Sequence, residues 1–229
     1  LAIEPDGLAA ALRAMKPLGF SGCNLAIPHK QEAMAIVDEI DEVARRIGAI
    51  SCVVVQSDGA LFGTNNDWIG FIRNLKTQVP EWRADSGPVA VIGAGGGARA
   101  ICYGLMQEGA AEIRLVNRTR ERAQAIADEF AGPLQVVQWS ERHDALDGVA
   151  TVVNTTSQGM VGQPPLDLQL DRLPLAALVA DIVYTPLQSP FLAAARARGN
   201  ATVNGLGMLL HQGPPAWKMW FGIEPTVST

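Results

Sequence analysis

The chain is 229 residues long, 48% hydrophobic and 18% charged, with a formal net charge of −5. So many apolar residues exclude a disordered polypeptide, because their burial offsets the entropy of ordering. Scattered basic residues exclude a dedicated nucleic-acid binder, which carries a basic stripe. No apolar run approaches the roughly 18 residues of a membrane span, so the expectation is a water-soluble, cytoplasmic protein without a membrane partner.

Against roughly 150 residues per domain, this length predicts two lobes of unequal size. The first elements are a helix over 8–16 and a strand over 23–27, stopped by Pro28. Ala33, Met34, Val37, Ile40 and Val43 recur at three-and-four spacing and predict one amphipathic helix over 30–47. Strands 51–55 and 60–62 flank a Ser57-Asp58-Gly59 turn, a hairpin pattern. A helix over 65–76 follows, then a polar, proline-flanked linker over 77–87.

From residue 89 the texture changes. A strand at 89–92, a glycine loop and a helix to about Gly109 precede a strand at 113–116 and a helix over 119–130. Further strands are predicted at 134–139, 149–154 and 178–183, with a short one near 201–204, and 205–221 is a mostly helical tail. Strands alternating with such helices mean a parallel sheet with crossover helices. Cys23, Cys52 and Cys102 stand singly, with no C-x-x-C pair. They read as small buried hydrophobes in a reducing compartment, and no metal is expected.

The segment VAVIGAGGGARA carries the strongest local signal. Gly93, Gly95 and Ala98 fall at G-x-G-x-x-A spacing between a buried strand and a helix. Gly93 permits the tight turn, Gly95 lets backbone approach a pyrophosphate, and Ala98 lets the helix pack closely on the strand. The second strand of an NAD site ends near an acid that accepts from the ribose 2′-hydroxyl. Here Asn117, Arg118, Thr119 and Arg120 follow Val116 instead. Guanidiniums and a hydroxyl suit a 2′-phosphate, which favours NADP. Thr119 also reads as a helix N-cap, which is compatible with that role.

Two polar clusters lie outside this domain, Asn24 to Lys30 and Gly63 to Asp67. Lys30 and Asp67 could converge on one cleft and share a proton with a substrate hydroxyl. From spacing alone, a surface lysine and a helix-capping aspartate are the stronger reading.

Seven ordered segments resemble the shikimate dehydrogenase family. NLAIPHK resembles N-V-T-x-P-x-K, and GTNNDWIG resembles G-x-N-T-D-x-x-G. VIGAGGGARA resembles the diphosphate loop, and NRTRERA the adenine-ribose phosphate segment. VNTTSQGM, DIVYTPLQSP and GLGMLLHQG resemble N-x-T-x-x-G-M, D-x-x-Y-x-P-x-x-T-P and G-x-x-M-L-x-x-Q-G.

The resemblance implies an α/β fold of two lobes. An N-terminal substrate-binding lobe, 1–76, would be completed by a C-terminal helix within 206–229, and 88–205 would form a doubly wound Rossmann domain binding NADP. It implies reversible hydride transfer between NADP(H) and a ring hydroxyl of shikimate or a related cyclic hydroxy-acid, within aromatic amino acid biosynthesis, by a monomer or homodimer. Lys30 and Asp67 match the catalytic pair. Asn24, Ala26, Ser51, Tyr184 and Gln212 match substrate positions. Gly93, Ala94, Gly95, Gly96, Gly97, Ala98, Asn117, Arg118, Thr119, Thr155, Thr156, Ser157, Met160, Ile182, Gly205 and Met208 match cofactor positions.

Three departures fall on the substrate side. Ala26 stands at the motif's threonine, Ser51 at the asparagine of A-x-N-T, and Asn66 at the threonine beside Asp67. Losing hydroxyl-binding partners should weaken shikimate binding or change the preferred substrate, so quinate and amino-shikimate enter as alternative substrates. The family's first strand–helix unit, with paired serines for the substrate carboxylate, would precede Leu1. The expectation is therefore a piece of a longer protein rather than a chain that has lost this anchor. A methylenetetrahydrofolate dehydrogenase fits the D-x-x-Y-x-P and M-L-x-x-Q segments poorly, and a non-catalytic NADP sensor has no need of both Lys30 and Asp67.

Of the remaining residues, Arg99 is expected either to touch diphosphate or to be solvated. Trp217 and Trp220 are expected to pack in the core. His143 and His211 are read as structural or exposed, and His29 has no assigned role.

Overall fold

The computed structural model describes residues 2–227; Leu1, and the segment expected before it, lie outside the described residues, as do 228–229. The chain forms a mixed four-stranded sheet and a parallel six-stranded sheet, with helices α1 to α8 around them.

The first lobe holds α1 (Leu8–Ala14), β1 (Gly22–Asn24), β2 (Glu39–Ile40), α2 (Glu42–Ile47), β3 (Cys52–Val55) and β4 (Leu61–Thr64). Its strand order is β1-β3-β4-β2. The hairpin β3–β4 pairs antiparallel, Val53 opposite Gly63, and β2 joins parallel to β4. Leu8 and Leu12 from α1 meet Ile50, Val53 and Leu61 in its core.

The single helix expected over 30–47 is not formed. A short 3-10 turn, Glu32–Ala35, gives way to β2 and then α2. Two carboxylates break the helix. Asp38 Oδ2 accepts from Leu61 N–H at 2.8 Å, which ties residues 38–40 to the sheet. Asp41 Oδ1 then accepts from Ala44 N–H at 2.6 Å and starts a new helix as its N-cap. The apolar spacing still buries Ala33 and leaves Met34, Val37 and Ile40 against the same core.

After α3 (Asp67–Gln78) come β5 (Val89–Ile92), α4 (Gly96–Gln107), β6 (Ile113–Val116), α5 (Arg120–Phe130), β7 (Leu134–Val137), β8 (Thr151–Asn154), β9 (Leu178–Asp181), α6 (Pro190–Arg198) and β10 (Thr202–Val203). The strand order β10-β9-β8-β5-β6-β7 is the doubly wound Rossmann order, all pairs parallel. Every residue of β5, β8 and β9 is buried, as a sheet covered on both faces requires. Helix α6 was not among the expected elements, although Ser189, its N-cap, and Pro190 at its first position are strong helix-start signals.

Residues 79–88 carry no helix or strand, yet they are not a bare tether. Trp82 is buried in the core of the six-stranded sheet and donates from Nε1 to Thr151 Oγ1 at 3.1 Å. Phe71, Ile72 and Leu75 of α3 join that same core, and Trp68 at the start of the helix packs beside Ile47 and Ala49 of the first lobe.

The chain then returns through α7 (Leu206–His211) and α8 (Gly213–Phe221). Helix α7 crosses α3 closely, and a Cβ at Gly70 would stand 2.5 Å from the carbonyl oxygen of Met208. Trp220 Nε1 donates to Val53 O at 3.0 Å, pinning α8 to the first sheet. Trp220 is thus half-buried, whereas Trp217 is exposed and meets Phe221 at a 4.9 Å centroid distance with the rings inclined by 59°. The expected core role for Trp217 fails because it points off the outer face of α8. Among the described residues no helix is long and apolar enough to cross a membrane.

Candidate active site

One wall of the cleft is the turn from β5 into α4. Gly93 has φ +118°, and a Cβ there would lie 2.5 Å from Thr155 Oγ1, so only glycine fits. A Cβ at Gly95 would meet nothing within 4 Å, which leaves its backbone open to the cavity. Ala98 lies beneath, fully buried, and lets α4 sit on the sheet.

A cavity of about 380 Å³ opens over this turn. Gly93, Ala94, Gly95, Gly96 and Gly97 line it, with Thr155, Thr156 and Ser157 opposite and Asn117 and Arg118 at one end. Among the described residues no carboxylate lines it, and Arg118 and Arg122 make its end positive. Open glycine backbone at a helix N-terminus, beside guanidiniums, fits a dinucleotide carrying extra phosphate.

Thr119 does not reach this cavity. It occupies the N-cap of α5 without a side-chain cap bond, and its carbonyl accepts from Asn117 Nδ2 at 2.8 Å. Arg122, Trp139 and Gln158 line the cavity and were not singled out from the sequence. Arg122 lies in the first turn of α5, which starts two residues beyond Arg118, and that nearness in the chain could have found it.

Arg99 is neither at the diphosphate position nor solvated. It is buried, with Nη1 donating to Ile47 O at 3.1 Å and both Nη atoms gripping Glu129 at 2.6 and 2.9 Å. Its place in the helix turns it away from the loop and toward α2 and α5.

The facing cavity, about 320 Å³, is lined by Asn24, Ala26, Tyr184, Gln212, Met160 and Gly205, with Leu25, Val183 and Leu209 as apolar walls. It shares Ile27, Lys30, Thr156, Ile182 and Met208 with the first, so the two spaces meet beside Lys30. Gln212 arrives there because α7 crosses α3.

Lys30 Nζ donates to Asp67 Oδ2 at 2.5 Å, with the side chains 16% and 1% exposed. The surface reading of this pair does not hold. Lys30 is fixed through its carbonyl, which accepts from Ile50 N–H at 2.8 Å. Asp67 opens α3, and its N–H donates to Asn65 Oδ1 at 3.0 Å. Asn65 in turn donates from Nδ2 to Ala49 O at 2.8 Å. Asp67 Oδ1 and Asn66 Nδ2 are buried without hydrogen-bond partners.

Ser51 does not line the cleft. It is buried, and its hydroxyl accepts from Asn66 N–H at 2.8 Å. Ala26 does line it and brings no polar atom from its side chain.

Below the cleft, Asp181 Oδ1 accepts from Asn154 Nδ2 and from Val183 N–H, both at 3.0 Å, and Oδ2 accepts from Ser189 Oγ at 2.5 Å. Burial outweighs these donors and pushes its carboxyl up to about 6. Burial also raises the thiols, Cys23 to about 11 and Cys52 and Cys102 to about 12, so none is a thiolate nucleophile at neutral pH. His29 bonds Ile3 O and His143 accepts from Gln169 N–H, both away from the cleft.

A buried amine–carboxylate pair where the two cavities meet can hold a hydroxyl and exchange its proton. Comparison with known proteins bears on this arrangement. A family model described as the shikimate dehydrogenase substrate binding domain matches residues 1–53, and one described as shikimate / quinate 5-dehydrogenase matches residues 75–161. The shikimate dehydrogenase (NADP(+)) of Rhodospirillum rubrum is 52% identical over 99% of this chain and 82% of its own length. A solved shikimate 5-dehydrogenase of Thermus thermophilus, in complex with NADP(H) and shikimate, is 34% identical with a TM-score of 0.85, covering 98% of this chain and 81% of that one. The quinate dehydrogenase of Corynebacterium glutamicum in complex with NAD is 32% identical with a TM-score of 0.87, covering 96% and 79%.

Proposed function

The chain belongs to the shikimate dehydrogenase family, and from that premise we propose how its cleft works. It is an NADP-dependent oxidoreductase acting on a CH–OH group, interconverting 3-dehydroshikimate and shikimate. NADP supplies hydride acceptance, and NADPH donation, at C4 of the nicotinamide.

The observation that carries the site assignment is the Lys30–Asp67 pair, 2.5 Å apart where the two cavities meet. In the reducing direction the Lys30 ammonium donates a proton to the oxygen of the reacting carbonyl as negative charge develops there. Asp67 holds that ammonium through Oδ2 and offers Oδ1, which has no partner, to a neighbouring hydroxyl. In the oxidising direction the same pair withdraws the hydroxyl proton.

Asn24, Tyr184 and Gln212 orient the ring, while Ala26 and Ser51 leave it with fewer side-chain hydroxyls or amides than the family's motif provides. Gly93 to Gly97 cradle the diphosphate, with Ala98 supporting them. Arg118 and Arg122 hold the 2′-phosphate, next to Asn117. Thr155, Thr156, Ser157, Met160, Ile182, Gly205 and Met208 surround the nicotinamide end. Residues 1–76 with 206–229 act as the substrate lobe, 88–205 as the cofactor domain, and 77–87 as their connection. The protein works in the cytoplasm as a monomer or homodimer, without nucleic acid.

Lys30→Ala tests the assignment. General acid catalysis contributes typically 10²- to 10⁴-fold, so kcat should fall by about that factor while NADP affinity changes less than about twofold. A variant that keeps most of its rate removes Lys30 from the mechanism.

A further inference from the structure

Arg99 lies near the start of α4, the helix whose N-terminus faces the cofactor cavity, and yet its guanidinium serves another purpose. Nη1 reaches the carbonyl of Ile47, the last residue of α2, while Nη1 and Nη2 fork onto Glu129 near the end of α5. A second tie runs alongside, from Arg46 Nη2 to Phe130 O at 2.8 Å. Gly48, which ends α2 at φ +71°, makes room for this approach, because a Cβ there would stand 2.6 Å from Arg99 Nη1.

The stretch that starts at Gly48 is the one that holds the ion pair. Ile50 N–H fixes the Lys30 carbonyl, and Ala49 O accepts from Asn65, whose other amide atom fixes Asp67 N–H. The stem of Lys30 also lies against Gly96, where a Cβ would come within 3.2 Å of Lys30 Cβ. A continuous set of bonds therefore runs from the cofactor helix through Arg99 to both members of the pair.

We propose that Arg99 is a positioning residue for hydride transfer, setting the separation between the cofactor wall and the Lys30–Asp67 pair. Stability alone is a poor reason for the arrangement. A buried guanidinium is costly to desolvate, and its partner Glu129 is half exposed, which screens the attraction. What a planar fork adds is geometry: it grips a carboxylate with two N–H groups while a third contact goes to a backbone carbonyl. An ammonium carries its donors on one atom and lacks the planar fork that grips both carboxylate oxygens in parallel.

The inference rests on the proposed catalytic roles of Lys30 and Asp67. Arg99→Lys and Glu129→Ala would be compared with the unmodified chain, with Glu129→Gln as the conservative partner. The readouts are kcat, the KM for NADP and for shikimate, and the isotope effect with shikimate deuterated at the reacting carbon. Glu129 is half exposed, so water can reach the guanidinium face that truncation uncovers, and Glu129→Gln keeps a hydrogen-bond partner there should Glu129→Ala or Arg99→Lys not fold. A 1 Å misplacement costs up to about 100-fold, so Glu129→Ala should lower kcat about fivefold or more. The KM for NADP should stay within about twofold, the isotope effect should rise, and Glu129→Gln should fall between. Unchanged kcat in folded Glu129→Ala overturns the proposal. So does a loss that only tracks folded, NADP-binding protein with a constant isotope effect. Failure of the unmodified chain to oxidise shikimate would instead strike the proposed function itself.

Discussion

At the scale of single residues, the proposed reading of the cofactor rests on the side chains just beyond β6. Arg118 and Arg122 face the end of the cofactor cavity, and among the described residues no acid does. A charge-assisted bond to a charged partner is worth roughly 1.5–3 kcal/mol, and exposure of Arg118 places it at the lower end. Arg118→Ala should thus weaken NADP binding about tenfold and NAD binding hardly at all, measured by titration of each nucleotide. Equal losses would show that the 2′-phosphate is read elsewhere, with Arg122 the first alternative. Residue identity made Arg118 and the glycine loop visible in the sequence, because each suits a phosphate by its own chemistry, whereas Lys30 stood out only through its resemblance to the family's motif. Direction was not visible. Thr119 and Ser51 have suitable side chains at suitable positions, but local backbone turns Thr119 out of the cavity and commits Ser51 to Asn66 N–H. Arg99 had two candidate roles and takes neither, since only the fold shows that α2 and α5 lie within reach.

At the scale of elements, strands buried on both faces were legible because such a setting draws near-continuous apolar runs. Strands β5 and β6 begin and end where their valines and isoleucines do. The region 30–47 was not, since apolar spacing suits a helix or a broken segment equally when both bury one face. The decision rests with Asp38 and Asp41, which bond backbone N–H groups outside a continuous helix. The α3–α7 crossing shows a similar contest. Helix propensity favours Gly70→Ala by up to about 1 kcal/mol, while overpacking against a neighbour costs typically 1–3 kcal/mol. The atom in the way is the Met208 carbonyl oxygen, 2.5 Å from the new Cβ, and backbone cannot swing aside. Packing should win. Gly70→Ala is expected to lower stability by about 1–2 kcal/mol in denaturant unfolding and to raise the KM for shikimate, because Gln212 sits on the same contact. A stabilised variant would mean that the two helices part without cost.

At the scale of the whole molecule, the two lobes are joined by more than the chain between them. Helix α3 packs in the core of the six-stranded sheet while its Trp68 lies against Ile47 and Ala49, α8 returns to the first sheet, and Arg99 ties α4 to α2. The ends of β8 and β9, where both cavities converge, are held together by Asp181 through Asn154, Val183 and Ser189. Its carboxyl is raised from 3.8 to about 6 by burial, so the folded state binds the proton more tightly than the unfolded chain. The folded state then carries one proton more between those values, and stability falls as pH rises through that window. The contribution is fully present below about pH 4 and lost above about pH 6, and it amounts to about 3 kcal/mol. Asp181→Asn retains an oxygen for Asn154 and Val183 and can donate to Ser189, but it cannot ionise. Relative to the unmodified protein, the variant should therefore gain stability as pH is raised from 4 to 7, whatever its offset at the acid end. Denaturant unfolding of both proteins across that range is the measurement, and the other carboxylates, common to both, cancel in the difference. Parallel curves would show that Asp181 is already ionised in the folded protein at pH 4, with its three donors outweighing its burial.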